Sequence, residues 1–307
     1  MSKYLPEGKL INTKENIQAL KSPDSIRDAY KSGLVLEARV VLCDNEHNLH
    51  VDLGCMPGLI PRDEGAIGIS EGTTRDIALI SKVNKPVCFI VTDFAFDEYG
   101  EIYALLSRKR VQEDCIENYI SGLQVGDIID AKICHMEPFG VFADIGAGIN
   151  ALLPIDSISV SRIPHPNVRF ISNQDIKAIV KSRDEFGRIV LSHKELLGTW
   201  KENAEKFSVG ETVPGIVRSA EKYGIFVELA PNLAGLAELS ENVLPGQNTA
   251  VYIKSIIPER MKIKLIIVDC FDAVYPPQKL NYFIEDEHIS YWKYSPDSSE
   301  KVIESWF

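Results

Sequence analysis

The sequence lacks the features that mark membrane and exported proteins. No apolar run approaches the roughly 18–20 residues that a membrane-spanning helix needs. The first stretch, MSKYLPEGKLINTKEN, has no apolar core of the signal-peptide kind. We therefore expect a cytoplasmic protein that does not act at a membrane.

Recognisable catalytic and cofactor motifs are also missing. There is no G-x-x-x-x-G-K-[ST] or G-x-G-x-x-G phosphate loop, no H-E-x-x-H zinc helix and no G-x-S-x-G nucleophile elbow. Adjacent acids such as Asp63–Glu64 and Asp184–Glu185 diverge on a strand or turn and are normally solvated. The sequence predicts a non-catalytic protein without cofactor, and a hydrolytic enzyme acting on RNA is the alternative.

Cysteine is sparse and never clustered. The chain has six cysteines and no C-x-x-C pair. A zinc site would need clustered ligands, so the pattern favours single buried thiols in a reducing compartment and no metal. The six are Cys43, Cys55, Cys88, Cys115, Cys134 and Cys270.

Positive charge is also scarce overall, since the net charge is −11. This total argues against nucleic-acid binding, but the distribution of charge along the chain matters more. The basic residues (Lys and Arg) and the acidic residues (Asp and Glu) were counted in each segment. There are 9 basic and 12 acidic residues over 31–112, 8 and 9 over 125–197, 7 and 7 over 206–270, and 3 and 7 over 271–307. The two later modules are nearly neutral, which leaves room for local basic patches.

What the sequence does contain is an internal repeat. Residues 125–145 and 209–229 align without a gap, from an initial Val-Gly-acid to an aromatic-Gly-aliphatic-Phe motif. Each copy is followed by a strand, a charged turn and a second strand, at 176–192 and 250–269. Repetition at about 80 residues indicates small repeated domains, because this period is too long for a solenoid unit.

A weaker third copy precedes these two, at 36–54, with its hairpin at 85–109. Each copy has about five strands' worth of alternating sequence in about 70 residues, the size of a small OB-fold barrel. We predict an all-β fold of three tandem five-stranded OB-fold barrels with short connecting helices. The predicted segments are an N-terminal extension 1–33, domains 34–112, 125–197 and 206–270, and an acidic aromatic tail 271–307.

Two helices are predicted around the barrels. Ser22 is a candidate N-cap, Pro23 a first helical residue and Gly33 a C-terminal stop. Residues 192–207 suit a connecting helix with a weak point at Gly198.

Two rings stand beside a turn in EKYGIFVEL, residues 221–229. The aliphatic residues alternate as a buried face, which places Phe226 and Glu228 on the outward face. Alternation alone would put Tyr223 on the opposite face from Phe226, but Gly224 can adopt a turn or bulge that resets the phase. Two exposed rings beside cations form a stacking platform for unpaired bases.

The shared pattern V-G-x…G-x-V…(F/Y)-G-x-F-V-x-(L/I)…G-L-x-(P/E)…(I/V)-x-L-S-x-K resembles the S1 RNA-binding domain, an OB-fold module repeated in bacterial ribosomal protein S1. The resemblance spans about residues 34–270. It is strong at 125–197 and 206–270 and loose at 34–112. It implies a short, three-domain S1-like protein that binds single-stranded, mRNA-like RNA in translation or mRNA handling.

The resemblance also implies RNA-binding positions, which are only partly kept here. They fall on Phe139, Phe142, Pro154, Asp184 and Arg188 in the second domain. In the third they fall on Tyr223, Phe226, Glu238, Pro258 and Lys262, and in the first on His47, His50, Pro61, Asp97 and Glu101. The cations expected near the rings are Lys222, Lys254, Arg260 and Lys262 in the third domain, and Lys181, Arg183 and Arg188 in the second.

Several alternatives stay open. Phe142 and Phe226 are expected either to bind bases or to be covered by a neighbour, and Phe139 and Tyr223 could anchor their turns. The first domain has few rings expected at the surface, and eroded terminal repeats of the family often bind protein. Residues 34–112 are therefore a candidate contact for the ribosome or a protein partner, and an adaptor role is the alternative to RNA binding. The tail is expected to form a strand pair or to pack on the third barrel, and docking onto a partner is the competing interpretation.

Overall fold

The computed structural model describes residues 4–240, 243–273 and 280–307, and most of its regular structure is β. The helices within these residues are α1 (Lys14–Ala19), α2 (Pro23–Ser32), α3 (Ile77–Ile80), α4 (Lys109–Asn118) and α5 (Trp200–Ala204). Short 3-10 turns occupy Arg62–Glu64, Ile120–Gly122, Ile155–Ser157, Pro166–Val168, Lys194–Leu197 and Pro258–Arg260.

The strands fall into three sets of five and a final pair. The first set is β1 (Leu36–Cys43), β2 (Leu49–Asp52), β3 (Pro57–Ile60), β4 (Pro86–Phe96) and β5 (Ile102–Ser107). The second is β6 (Ile128–Glu137), β7 (Gly140–Asp144), β8 (Asn150–Pro154), β9 (Asp175–Arg183) and β10 (Ile189–Ser192). The third is β11 (Thr212–Glu221), β12 (Gly224–Ala230), β13 (Leu233–Ala237), β14 (Asn248–Ile257) and β15 (Lys262–Phe271), followed by β16 (Tyr291–Lys293) and β17 (Glu304–Trp306).

Each set of five closes into a barrel, so the predicted all-β fold of three tandem barrels is confirmed. The strand orders are β1-β2-β3-β5-β4, β10-β8-β7-β6-β9 and β11-β12-β13-β15-β14. In every barrel the third strand pairs in parallel with the fifth, and this non-local pair closes the sheet. Closure leaves no free sheet edge.

The chain divides into two compact units. Unit 1 comprises Met1–Leu123, Asp130–Lys132 and Asp144–Asn150, and unit 2 comprises Gln124–Ile129, Ile133–Ala143 and Ala151–Phe307.

Unit 1 has its apolar core inside the first barrel. Leu36, Phe89 and Leu106 are fully buried there, and Ile26 of α2 packs with them. The predicted caps of α2 are confirmed: Ser22 forms a capping box with Ser25, and Gly33 ends the helix at φ 62°. Such caps satisfy the free backbone groups at both helix ends.

A buried ionic cluster also lies in unit 1. The Glu7 carboxylate accepts from Arg108 Nε at 2.6 Å and from Lys82 Nζ at 2.8 Å. Burial raises the pKa of Glu7, but the charges of Arg108 and then Lys82 outweigh burial and leave this pKa below its ordinary value. Burial and the nearby Glu7 charge raise the pKa of Asp144 to about 6.

In unit 2 the predicted helix 192–207 is broken at Gly198. A 3-10 turn, Lys194–Leu197, ends at this glycine, whose φ is 84°. A new helix, α5, then starts because Thr199 forms a capping box with Glu202. The continuous helix was therefore a wrong prediction, although its weak point was located correctly.

The C-terminal segment packs on the third barrel. Strands β16 and β17 pair with each other, while Trp292 and Tyr294 are buried in the core that contains Val227 and Leu265. The Tyr294 hydroxyl donates to the backbone oxygen of Asn232 at 2.5 Å. The described part of the tail, 280–307, thus both forms a strand pair and packs on the third barrel, and 274–279 lie outside the described residues.

The cysteines are less uniform than predicted. Cys88 and Cys115 are buried, Cys43, Cys55 and Cys270 are partly buried, and Cys134 is exposed. The expectation of uniformly buried thiols is wrong for Cys134, since its side chain lies on the outer face of β6. Among the described residues, no three His, Cys, Asp or Glu side chains are grouped as metal ligands require. None of the helices described here has the length and apolar character needed to cross a bilayer.

Candidate nucleic-acid interface

The third barrel presents two aromatic rings at one end of β12. Lys222 and Tyr223 form the two-residue turn between the paired residues Glu221 and Gly224. Tyr223 is 70% exposed, and its ring meets that of the half-buried Phe226 edge to face, with centroids 6.0 Å apart. Edge-to-face packing is a favoured aromatic geometry, so the two rings support each other at the surface.

Gly224 makes this arrangement possible. Its φ is 149°, and a Cβ built there would lie 2.6 Å from the backbone oxygen of Ala237. Any side chain would therefore clash with β13 as well as strain the backbone. The prediction that this glycine resets the phase was incomplete, because Tyr223 reaches the shared surface from the turn itself.

The second barrel has an equivalent pair of aromatic rings. Phe139 is 55% exposed, and its ring packs edge to face on half-buried Phe142 with centroids 6.1 Å apart. A Cβ on Gly140 would lie 2.5 Å from the backbone oxygen of Leu153, so this glycine is also required by close packing. The backbone N–H of Ile155 donates to the Phe139 oxygen at 2.9 Å and holds the turn against the end of β8.

Glu228 does not share the water-facing surface with Phe226, contrary to the expectation from alternation. It is 5% exposed and accepts from Arg169 at 2.5 Å and twice from Arg218 at 2.9 Å. Burial raises its pKa, but the hydrogen bonds from Arg218 and the charge of Arg169 outweigh burial and hold the pKa below its ordinary value. Both arginines have side chains less than 10% exposed, so the cluster is a buried ionic network.

The strand register places a further cation, Lys264, beside the rings of the third barrel. The sequence analysis did not single out this lysine. Phe226 pairs with Leu236, and Leu236 pairs with Lys264 on β15. Adjacent strands lie about 4.8 Å apart, so Lys264 is roughly 10 Å from Phe226 across the barrel wall. A lysine side chain spans much of that distance, which places the Lys264 charge within reach of a phosphate attached to a base stacked on Phe226.

Of the four cations predicted for the third barrel, three are exposed and one faces an acid. Lys222, Arg260 and Lys262 are exposed and have no ion pair within the described part of the chain. Lys262 lies two residues before Lys264 on the same outward face of β15. By contrast, Lys254 faces Glu238, with 4.0 Å between its ammonium and the carboxylate.

The second-barrel hairpin is organised by Asp184. Its carboxylate accepts from the backbone N–H groups of Phe186 and Arg188 at 2.9 and 2.8 Å and from Arg188 Nε at 2.7 Å. The Arg188 guanidinium also lies over the Phe186 ring, 5.0 Å from its centroid. Asp184 is thus engaged in the turn itself, while Arg188, whose side chain is 70% exposed, keeps most of its surface in water.

Two more cations predicted for the second barrel also have local partners. Lys181 donates to Ser157 Oγ at 3.0 Å, and Arg183 donates to the backbone oxygen of Gly187 at 3.3 Å. Both acceptors are neutral, so Lys181 and Arg183 keep their charges while their side chains are held locally.

The first barrel has no ring pair at the corresponding positions. His50 lies 3.1 Å from Asp44, and His47 lies 3.8 Å from Asp76. The expectation of few exposed rings is nevertheless wrong, because Phe96 and Tyr99 in the β4–β5 hairpin are 70% and 83% exposed. The long hairpin extends these rings beyond the barrel core, an effect that strand alternation does not predict.

Comparison with known proteins agrees with this geometry. Residues 123–194 match the family model of the S1 RNA binding domain. The chain carries an S1 domain. This domain includes the Phe139–Phe142 pair and the Asp184 hairpin, and the resemblance to ribosomal protein S1 is confirmed over about half the chain.

Curated relatives include ribosomal S1 proteins and one reductase. The chain is 34% identical over 182 residues to the small ribosomal subunit protein bS1 of Staphylococcus aureus strain COL, covering 53% of this chain and 46% of that protein. It is 35% identical over 127 residues to the bS1 homolog of Bacillus subtilis strain 168, covering 41% and 33%. It is 30% identical over 266 residues to the 4-hydroxy-3-methylbut-2-enyl diphosphate reductase of Fusobacterium nucleatum, covering 84% of this chain and 30% of that protein. The chain thus spans less than half the length of these relatives.

Among solved structures, a multidomain protein with nucleic acid binding domains from Streptococcus pneumoniae aligns with a TM-score of 0.25 at 13% identity. The alignment covers 77% of this chain and 74% of that one.

Proposed function

We propose that the chain binds single-stranded, mRNA-like RNA by stacking unpaired bases on two aromatic platforms. Platform A is Phe139 with Phe142, and platform B is Tyr223 with Phe226. The observation that carries the proposal is the repetition of the same edge-to-face pair, at 6.1 and 6.0 Å, beside a glycine that no other residue can replace without a clash. We propose 34–112, 125–197 and 206–270 as the bounds of the three S1-like domains.

The energetics favour RNA that is unpaired and of varied sequence. Stacking on an aromatic side chain contributes about 1–3 kcal/mol per base and depends little on base identity. Phosphate contacts are assigned to Lys222, Arg260, Lys262 and the newly found Lys264 around platform B, and to Arg188 near platform A. We assign Asp184 the positioning of Arg188, because its carboxylate already holds the hairpin.

Two weak platforms on one chain give tighter binding than either alone. Once one platform is occupied, the other meets the same strand at an effective concentration set by the linkage between them. This explains how modules with nearly balanced charge, 8 to 9 and 7 to 7, can hold a polyanion. Specificity for a base is expected to be low, since stacking engages ring faces and not base edges.

We assign the protein a non-catalytic role in translation or mRNA handling in the cytoplasm. Its similarity to bS1 proteins supports this role, and the match to the reductase covers only 30% of that protein. Association with the ribosome or a protein partner is assigned to residues 34–112, where the ring pair is missing.

The test is an equilibrium titration of a fluorescein-labelled oligouridine with the parent protein and the double variant Phe142→Ala, Phe226→Ala. Removing one ring from each platform is expected to weaken binding at least tenfold, as follows from roughly 1–3 kcal/mol per stacked base. The control is Val209→Ala, which trims an exposed apolar side chain outside the platforms and should leave affinity unchanged. Equal affinity of the parent and the double variant would contradict the proposal.

A protein-interaction adaptor is the second candidate function. The exposed Phe96 and Tyr99 of the first barrel favour it, because rings at a hairpin tip suit a protein partner as well as RNA. Affinity purification after nuclease treatment would support the adaptor if one protein were recovered and its recovery were lost in the variant Phe96→Ala, Tyr99→Ala.

A further inference from the structure

The C-terminal strand pair exposes an aromatic pair that belongs to neither platform. Tyr291 on β16 lies directly opposite Trp306 on β17, and their ring centroids are 4.3 Å apart. Trp306 is 72% exposed and Tyr291 is 40% exposed. The two rings thus form an exposed aromatic pair, whose faces are available to a binding partner.

The backbone beneath this pair is anchored, so the rings are held in position. Trp292, the neighbour of Tyr291, is 6% exposed and packs in the barrel core. Ser305, the neighbour of Trp306, donates to Glu195 Oε1 at 2.8 Å. Strand alternation therefore turns Tyr291 and Trp306 outward while their neighbours fix the sheet.

A carboxylate joins the two rings. Glu304 accepts from Trp306 Nε1 at 3.1 Å and from the Tyr291 hydroxyl at 2.9 Å. These two hydrogen bonds, led by that of Trp306, lower the pKa of Glu304, so its carboxylate stays charged. A carboxylate has about four acceptor positions, so two are left for a donor from outside.

The C-terminal segment that carries the rings is acidic. Over residues 280–307 there are two Lys against six Asp and Glu. Lys293 lies opposite Glu304 in the strand pair, and its ammonium is bound to Asp297 at 2.7 Å. A phosphate backbone would meet net repulsion here, whereas a cationic side chain would meet ring faces and a carboxylate together.

We propose that Tyr291, Trp306 and Glu304 form a docking site for an arginine-rich segment of a protein partner. The guanidinium stacks on the Trp306 face, since Arg on Trp is the most favourable of the common cation–π pairs, and its N–H groups donate to the two free acceptor positions of Glu304. The site is independent of the two RNA platforms and gives this chain a second, protein-binding function.

The test uses a fluorescein-labelled, end-blocked hexapeptide of alternating Arg and Gly, with fluorescence anisotropy of the full chain. Trp306→Ala and Glu304→Gln are each expected to weaken peptide binding about two- to fivefold, the range of one exposed cation–π contact. The matched control is Glu300→Gln, which removes one charge from an exposed position of the same segment and should change affinity less. A peptide with Lys in place of Arg should bind more weakly.

Trp306 also reports occupancy directly. It is exposed, whereas Trp200 and Trp292 are 3% and 6% exposed, so acrylamide quenches mainly Trp306. The peptide should protect this emission in both the parent and the Phe142→Ala, Phe226→Ala variant, which separates this site from the RNA platforms. The proposal is overturned if Glu304→Gln and Glu300→Gln bind the peptide alike, or if oligouridine protects Trp306 and the peptide does not.

Discussion

Replacing Glu228 with Gln should destabilise unit 2 more than any exposed substitution. The carboxylate is the shared counter-ion of two guanidiniums whose side chains, like its own, are less than 10% exposed. Glutamine keeps the shape and one acceptor oxygen but removes the charge, which leaves Arg169 and Arg218 buried without a counter-ion. Removing one partner of a buried ion pair costs about 3–5 kcal/mol.

The magnitude can be checked by urea unfolding, observed through the fluorescence of the buried Trp200 and Trp292. In a parallel thermal scan, a loss of about 3–5 kcal/mol from a unit of this size corresponds to a fall in Tm on the order of 10 °C. The matched control is Lys201→Ala, which removes the exposed Lys201–Glu205 pair at 3.7 Å and should cost only about 0.3–0.5 kcal/mol.

The pH dependence supplies a second readout. The folded-state pKa of Glu228 lies below its ordinary value, so the ionised form stabilises the fold. This stabilisation is complete above the unfolded-state pKa of about 4.3 and is lost as the pH falls towards the lower folded-state value. Glu228→Gln should therefore flatten the acid limb of the stability profile. A variant that unfolds at the parent's urea midpoint would refute the assignment of a stabilising role to this network.

Three further predictions concern other parts of the molecule. Gly224→Ala should lower the free energy of unfolding by more than about 1 kcal/mol, roughly the penalty of a strained backbone position, and displace the turn that carries Tyr223. At Gly122 an added Cβ meets nothing within 4 Å, so Gly122→Ala should be tolerated, and both variants are compared by urea unfolding followed by far-UV circular dichroism. Since burial and the Glu7 charge raise the pKa of Asp144 to about 6, above the unfolded value of 3.8, stability should fall as the pH rises through this window. Asp144→Asn should reduce that loss of stability, measured by urea unfolding at the two ends of the pH range from 3.8 to about 6. Lys264→Ala should lower the salt dependence of oligouridine binding by about 0.7 in the log–log slope, the value for one phosphate contact on a single strand, while Lys254→Ala should change the slope less.

The sequence was sufficient for the three-barrel fold and for the two ring pairs, Phe139 with Phe142 and Tyr223 with Phe226. The barrels follow from strand alternation and from the repeat, both of which are local patterns, and the aromatic-Gly-aliphatic-Phe motif located both platforms. The cap residues of α2 were equally predictable, because Ser22 and Gly33 act within one helical turn of their own positions.

Two of the missed features depend on pairings between distant segments. Lys264 joins platform B through the parallel pairing of β13 with β15, which no local pattern specifies. The burial of Glu228 depends on Arg169, 59 residues away in sequence. Alternation predicts the face on which a side chain lies, but whether that face meets water depends on which other segment covers it.

The central claim, that unpaired bases stack on the two platforms, is tested most directly by photocrosslinking the parent protein to a uridine-rich single-stranded RNA and mapping the modified peptides. The account predicts crosslinked nucleotides on peptides that contain Phe139–Phe142 and Tyr223–Phe226. Crosslinks confined to other peptides, or crosslinking that is unchanged in the variant Phe142→Ala, Phe226→Ala, would contradict it.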